Sequence, residues 1–132
     1  MSVFVDTSAV LALLNADDAM HARVAAAWRT LVRAEEELVT SSYVLIESLA
    51  LAQARLGPAA ARALANEFVP ALEVVWVDEA LHRAALSAWL ISGRRDLSLV
   101  DCVSFEVMRR RSVPRVLTLD RHFGRQGFAA VP

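Results

Sequence analysis

The chain has no lysine; all 14 of its basic residues are arginine. A carboxylate buried in this protein can therefore find a side-chain cation only in a guanidinium. Cysteine is nearly absent as well. Cys102 stands alone, which excludes an internal disulfide and a thiolate metal site, and it reads as a small buried hydrophobe. The four glycines (57, 93, 124 and 127) form no glycine-rich phosphate loop, which excludes the common nucleotide-binding folds. No apolar run approaches the roughly 20 residues that span a bilayer. The apolar opening lacks a basic flank and is interrupted by Asp6. Neither a membrane helix nor a signal peptide is expected, and the protein is expected in the cytoplasm.

What is present fits one folded domain over residues 1–132, with 56% hydrophobic and 22% charged residues. The net charge of −1 names no partner, but its distribution is uneven. Residues 94–125 carry eight arginines and four acids, a surplus of +4 that leaves −5 for the rest.

Hydrophobic periodicity predicts strands at Val3–Val5, Leu38–Thr40, Glu73–Val77 and Val116–Leu119, with a short fifth at Phe128–Val131. Between them it predicts helices over 8–14, 17–34, 43–56, 79–91 and 98–111, and Pro58 opens a further one. In the 17–34 helix, Met20, Val24, Trp28, Leu31 and Val32 form the apolar stripe. Gly57 and Gly93 supply stop signals. Strands separated by helices imply parallel pairing, hence an α/β sandwich. In such sheets a site forms at the carboxyl ends of the strands, where Asp6 and Asp120 both stand.

Four carboxylates draw attention. Asp6, Asp101 and Asp120 each also suit a helix cap, and Ser98 with Asp101 has the form of a capping box. Glu47 fits that explanation less well. It lies mid-helix among Tyr43, Val44, Ala50 and Leu51, so it should be buried or nearly so, with an arginine or a metal as partner. Carboxylates gathered together repel, and a divalent cation relieves the repulsion. Oxygen ligands without a nearby histidine or thiol select Mg²⁺ or Mn²⁺. Such ions activate water and stabilise the departing oxygen of a phosphodiester.

The motifs, in order, are Val5-Asp6-Thr7-Ser8, Ile46-Glu47-Ser48, Leu97-Ser98-Leu99-Val100-Asp101 and Thr118-Leu119-Asp120-Arg121-His122-Phe123-Gly124. Together they resemble the PIN-domain nucleases, and within them the VapC-type toxins of toxin–antitoxin pairs, over essentially the full length. The resemblance implies a PIN-like three-layer α/β sandwich, a parallel sheet of four or five strands flanked by helices. It also implies endoribonuclease activity with Mg²⁺ or Mn²⁺, a small cognate antitoxin as partner, and a homodimer formed through helices like those of residues 43–68.

By the same resemblance, Asp6 and Asp101 are the direct metal ligands, while Asp120 and Glu47 are further ligands or orient bound water. Thr7 or Ser98 would hydrogen-bond a carboxylate, although capping suits both equally. Arg94, Arg95 and Arg121 are the expected RNA contacts. Arg109, Arg110 and Arg111 are better explained by the carboxyl end of their helix. His122 is expected on the surface of a short turn, and Trp28, Trp76 and Trp89 in the core or an interface.

Competing chemistries fit less well. Haloacid-dehalogenase-like phosphatases want a second aspartate where this chain has Ser8, and response-regulator receivers need a lysine. A PIN nuclease of RNA maturation without an antitoxin, and a catalytically silent PIN-like scaffold, remain as alternatives.

Overall fold

The computed structural model describes residues Met1–Pro132. Five parallel strands form one sheet: β1 (Ser2–Val5), β2 (Glu37–Ser41), β3 (Glu73–Val75), β4 (Arg115–Leu117) and β5 (Ala129–Val131). Their spatial order is β3-β2-β1-β4-β5. The chain winds outward from the central strand to one edge, then returns to the other side of β1. The order reverses between β1 and β4, so their carboxyl ends flank the crevice in which such sheets bind ligands.

Seven α-helices connect the strands: α1 (Thr7–Leu14), α2 (His21–Arg33), α3 (Ser42–Leu56), α4 (Pro58–Ala63), α5 (Glu79–Ser92), α6 (Leu99–Arg110) and α7 (His122–Arg125). β1 is an unbroken apolar run because both of its faces are covered. Val3 and Val5 join Val24, Leu31, Leu38 and Leu117 on the side of α1 and α2. Phe4 points the other way, into a second cluster with Val39, Leu81, Val103, Val116 and Phe123 on the side of α5, α6 and α7. The period of two along β1, β2 and β4 thus divides the core into two layers around the sheet.

The helix boundaries follow local chemistry. Ser41 accepts the Val44 amide at 3.1 Å and Asp78 the Leu81 amide at 2.8 Å, opening α3 and α5. Gly93, at φ 58°, supplies the left-handed residue that ends α5.

Several elements are shorter than the sequence pattern predicts. α2 begins at His21 rather than 17, because Asn15 and Asp18 side chains accept the amides of Asp17 and Met20 and hold that stretch in turns. At its far end Val32 leaves the stripe and is exposed. β3 stops at Val75, since the Val77 amide turns to the Ser42 hydroxyl, and Trp76 is 70% exposed rather than in the core. β4 stops at Leu117, where the chain bends into the site described next.

Candidate active site at the carboxyl ends of β1 and β4

Val5 pairs with Leu117 across the two central strands, and the Asp6 amide donates to the Leu117 carbonyl at 3.1 Å. This register delivers Asp6 beside Thr118. Asp6 occupies the cap position of α1, yet its side chain caps no amide there. Its Oδ2 instead accepts the Ser8 hydroxyl at 2.7 Å and the Thr118 hydroxyl at 2.8 Å. Both hydroxyls are in turn acceptors: Ser8 Oγ takes the Leu119 amide at 3.0 Å, and Thr118 Oγ1 takes the Asp120 amide at 2.9 Å. Two peptide dipoles are thereby relayed through hydroxyls onto one buried carboxylate oxygen.

Thr7 does not contribute. Its Oγ1 is buried without a hydrogen-bond partner, so the expected contact to a carboxylate is replaced by that of Ser8. Adjacent residues on the first turn of a helix face different ways, and only the Ser8 hydroxyl reaches Thr118.

Asp101 does cap, and Asp120 stabilises a turn. Ser98 and Asp101 form a complete capping box, with the Asp101 amide donating to Ser98 Oγ at 3.0 Å and the Ser98 amide to Asp101 Oδ2 at 3.1 Å. The Ser98 hydroxyl accepts the Asp101 amide, and both the amide and the hydroxyl of Ser98 favour the ionised Asp101 carboxylate. Asp120 Oδ1 accepts the His122 amide at 2.9 Å, holding the turn into α7. Each of these two aspartates commits one oxygen to the fold, leaving the other without a protein donor.

The electrostatics couple three of the four acids. Burial raises the Asp6 carboxyl above its ordinary range; the Ser8 and Thr118 hydrogen bonds oppose that, and the Asp101 charge reinforces it. Asp101 is also raised, first by burial and then by Asp120, against the opposing bonds from Ser98. Both groups bind protons more readily than free aspartate, chiefly because they are buried and secondarily because an acid stands beside each.

Glu47 is not among the charges that chiefly act on Asp6 or Asp101. It is half-buried rather than buried, and no arginine pairs with it. Apolarity along α3 overstated its burial, because Ile46 and Ala50 point into solvent instead of the core.

Two clefts meet at Asp120, and Asp101 lines neither of them. One, of about 380 Å³, is lined by Ser8, Asp96, Leu119, Asp120, Arg121, His122 and Arg125. The other, of about 370 Å³, includes Met20, Arg23, Thr118, Asp120 and Arg121. Asp6 lines neither cleft, but its two hydroxyl donors, Ser8 and Thr118, line one each. His122 is largely covered, not a surface residue, because its Nε2 lies 2.9 Å from the Asp96 carbonyl.

The arginines divide by partner. Arg109 and Arg110 pair with Glu106, and Arg111 with Glu73. Arg121 and Arg125 form no ion pair; Arg121 lines both clefts, Arg125 the first and Arg23 the second. The sequence marks Arg125 only as the last arginine of the basic 94–125 segment, and Arg23, outside that segment and every motif, gives no signal there.

No three histidine, cysteine, aspartate or glutamate side chains converge closely enough to enclose a metal on their own. The donor set still suits Mg²⁺, which keeps several waters and usually takes only one or two carboxylates. Carboxyls raised by burial and mutual repulsion, with oxygens left over on Asp101 and Asp120, are suited to receive it.

The PIN domain family profile matches residues 3–129. The 23S rRNA-specific endonuclease VapC20 of Mycobacterium tuberculosis is 34% identical over 131 residues, covering 98% of this chain and 97% of that protein. The crystal structure of Mycobacterium tuberculosis VapC20, described as a sarcin-ricin loop cleaving toxin, superposes with a TM-score of 0.84 at 32% identity, over 97% of both chains. FitAcB from Neisseria gonorrhoeae shares the fold with a TM-score of 0.71 at 17% identity, over 98% of this chain and 96% of that one. On the profile, the identity and the shared architecture, the chain belongs to the PIN domain family.

Proposed function

We propose that this protein is a Mg²⁺- or Mn²⁺-dependent endoribonuclease, the toxin of a toxin–antitoxin pair, and that its substrate is a structured loop of ribosomal RNA. The observation that carries the proposal is the buried Asp6 carboxylate, held by Ser8 and Thr118 in the β1/β4 crevice and coupled to Asp101, on which Asp120 acts in turn. The similarity to VapC20 supports the substrate class, and with it a cytoplasmic location and a small antitoxin partner.

In this assignment Asp6 and Asp101 hold the cation, with Asp120 completing the acidic wall. Glu47 acts further out, by orienting water. The cation supplies Lewis acidity for activating water and for the charge that builds on the phosphodiester. Ser8 and Thr118 keep Asp6 Oδ2 fixed and favour the ionised carboxylate, so its remaining oxygen presents a constant geometry. Arg121, Arg125 and Arg23 stand where the RNA backbone must pass, offsetting the repulsion between phosphate and acids. Arg94 and Arg95 extend that path beyond Asp96. Helices α3 and α4 and the following turn to Phe68 are the proposed dimer face, and the exposed Ile46 on α3 supports it.

The test is cleavage of a synthetic hairpin carrying the sarcin–ricin loop of 23S rRNA, with and without chelator. Wild-type protein should cut it only with Mg²⁺ or Mn²⁺ present, and Asp6→Asn should lower the rate by roughly two orders of magnitude or more. Equal cutting by both proteins, or cutting that survives the chelator, would overturn the assignment.

A further inference from the structure

A third cavity lies beside the active-site clefts, where α5 ends. It has a volume of about 250 Å³ and is lined by Trp89, Leu90, Gly93, Arg94 and Arg95. Three features distinguish it from a surface dimple. First, the indole is fixed, since Trp89 Nε1 donates to the Leu97 carbonyl at 2.9 Å and the ring packs against the core cluster. Second, the walls combine apolar surface with two guanidinium groups and no acid, although Leu90 is 64% exposed. Arg95 forms no ion pair, whereas Arg109, Arg110, Arg111 and Arg115 are all engaged by glutamates. Third, the cavity is joined to the active site. Arg94 is bonded through Nε and Nη2 to Asp96 at 3.2 and 3.1 Å, and Asp96 lines the 380 Å³ cleft with its carbonyl at 2.9 Å from His122 Nε2.

An aromatic ring, an aliphatic side chain and the unpaired Arg95 guanidinium, beside an Arg94 already bonded to Asp96, suit an unpaired nucleobase and its own phosphate. Single-stranded RNA is bound by splayed bases against aromatic and guanidinium planes, with arginine on the backbone. The cavity has room for one ring system and not for a helix or a strand. We infer that the Trp89–Arg95 cavity is a base-binding subsite that takes one flipped-out nucleotide of the RNA loop and sets where the strand crosses Asp120. This rests on the endoribonuclease assignment above and adds to it the part of the substrate that is read.

The test uses the Asp6→Asn protein and the same sarcin–ricin hairpin, with an abasic nucleotide placed in turn at each loop position. Binding is followed by fluorescence anisotropy. One loop position should cost about tenfold in affinity when its base is removed, as expected for a single stacked base. In Leu90→Glu, which puts a carboxylate into the cavity, that penalty should fall to within twofold, and likewise in Arg95→Ala should the first variant fold poorly. A 2-aminopurine at the same position should be quenched on binding to Asp6→Asn and not in the added presence of Leu90→Glu. A flat abasic scan, a penalty that persists in both variants, or no detectable binding would overturn the subsite. Wild-type cleavage of the intact hairpin is measured alongside. Chelator-sensitive cutting with a flat scan would remove the subsite and leave the nuclease, whereas a position-specific penalty without cutting would support the subsite and remove the nuclease.

Discussion

Asp6 is a charge the folded protein tolerates at a cost. Its carboxyl is raised by burial, so the folded state binds a proton more tightly than the unfolded chain does. Below the ordinary aspartate value of 3.8 both states are protonated and there is no penalty. As pH rises from there through the raised folded value, metal-free stability falls, and above it the loss is constant. Asp6→Asn keeps an acceptor for Ser8 and Thr118 but never ionises. It should therefore raise the melting temperature of metal-free protein at neutral pH and change it less at pH 3.5; an equal shift at both would contradict the burial of charge. Ser8→Ala removes one of the two donors, and cleavage should drop about 10- to 100-fold, the usual loss for a group that positions a metal ligand, with the fold intact by circular dichroism. Asp6 was legible in the sequence from its place after an apolar strand. The parts played by Ser8 and Thr118 were not, because their contact spans 110 residues and depends on which strands are neighbours. Glu47 shows the opposite failure: apolar helical neighbours suggest burial, but only the tertiary packing decides which of them face the core.

At the scale of elements, α6 carries Asp101 on its first turn and is held there by a reciprocal cap. Ser98→Ala deletes the hydroxyl acceptor while leaving the Ser98 amide bonded to Asp101. The expected cost is about 1 kcal/mol in urea denaturation. Cleavage should fall less than in Ser8→Ala, because the carboxylate keeps its backbone donor. The central strands were visible as short continuous apolar runs, since both faces of β1 are covered, and the helices as three-to-four periodicity with clear caps on α5 and α6. What periodicity could not show was the end of each element. α2 begins, and β3 and β4 end, where a side chain captures a backbone amide, and such captures depend on partners outside the periodic pattern.

Across the whole molecule, the acidic cluster and the basic 94–125 segment set opposing responses to solution conditions. A cation bound only by the folded state stabilises it, by about 2.7 kcal/mol at a hundred times its Kd. Mn²⁺ should accordingly raise the wild-type melting temperature and have a smaller effect on Asp6→Asn. That stabilisation should fade as pH is lowered, from a pH above the ordinary aspartate range, because protons compete for the raised Asp6 and Asp101 carboxyls.

The order of the sheet bears on when the site can exist. Asp6 follows the first strand to be synthesised and Thr118 the fourth, yet the two share one hydrogen-bonded network across the central pair. Ribosomes make residue 6 long before residue 118. Until β4 has been translated and has inserted beside β1, Asp6 lacks one hydroxyl donor and Asp120 does not exist. An unfinished chain therefore holds no assembled acidic cluster, and whatever activity the site confers begins only after nearly all of the described residues have been made.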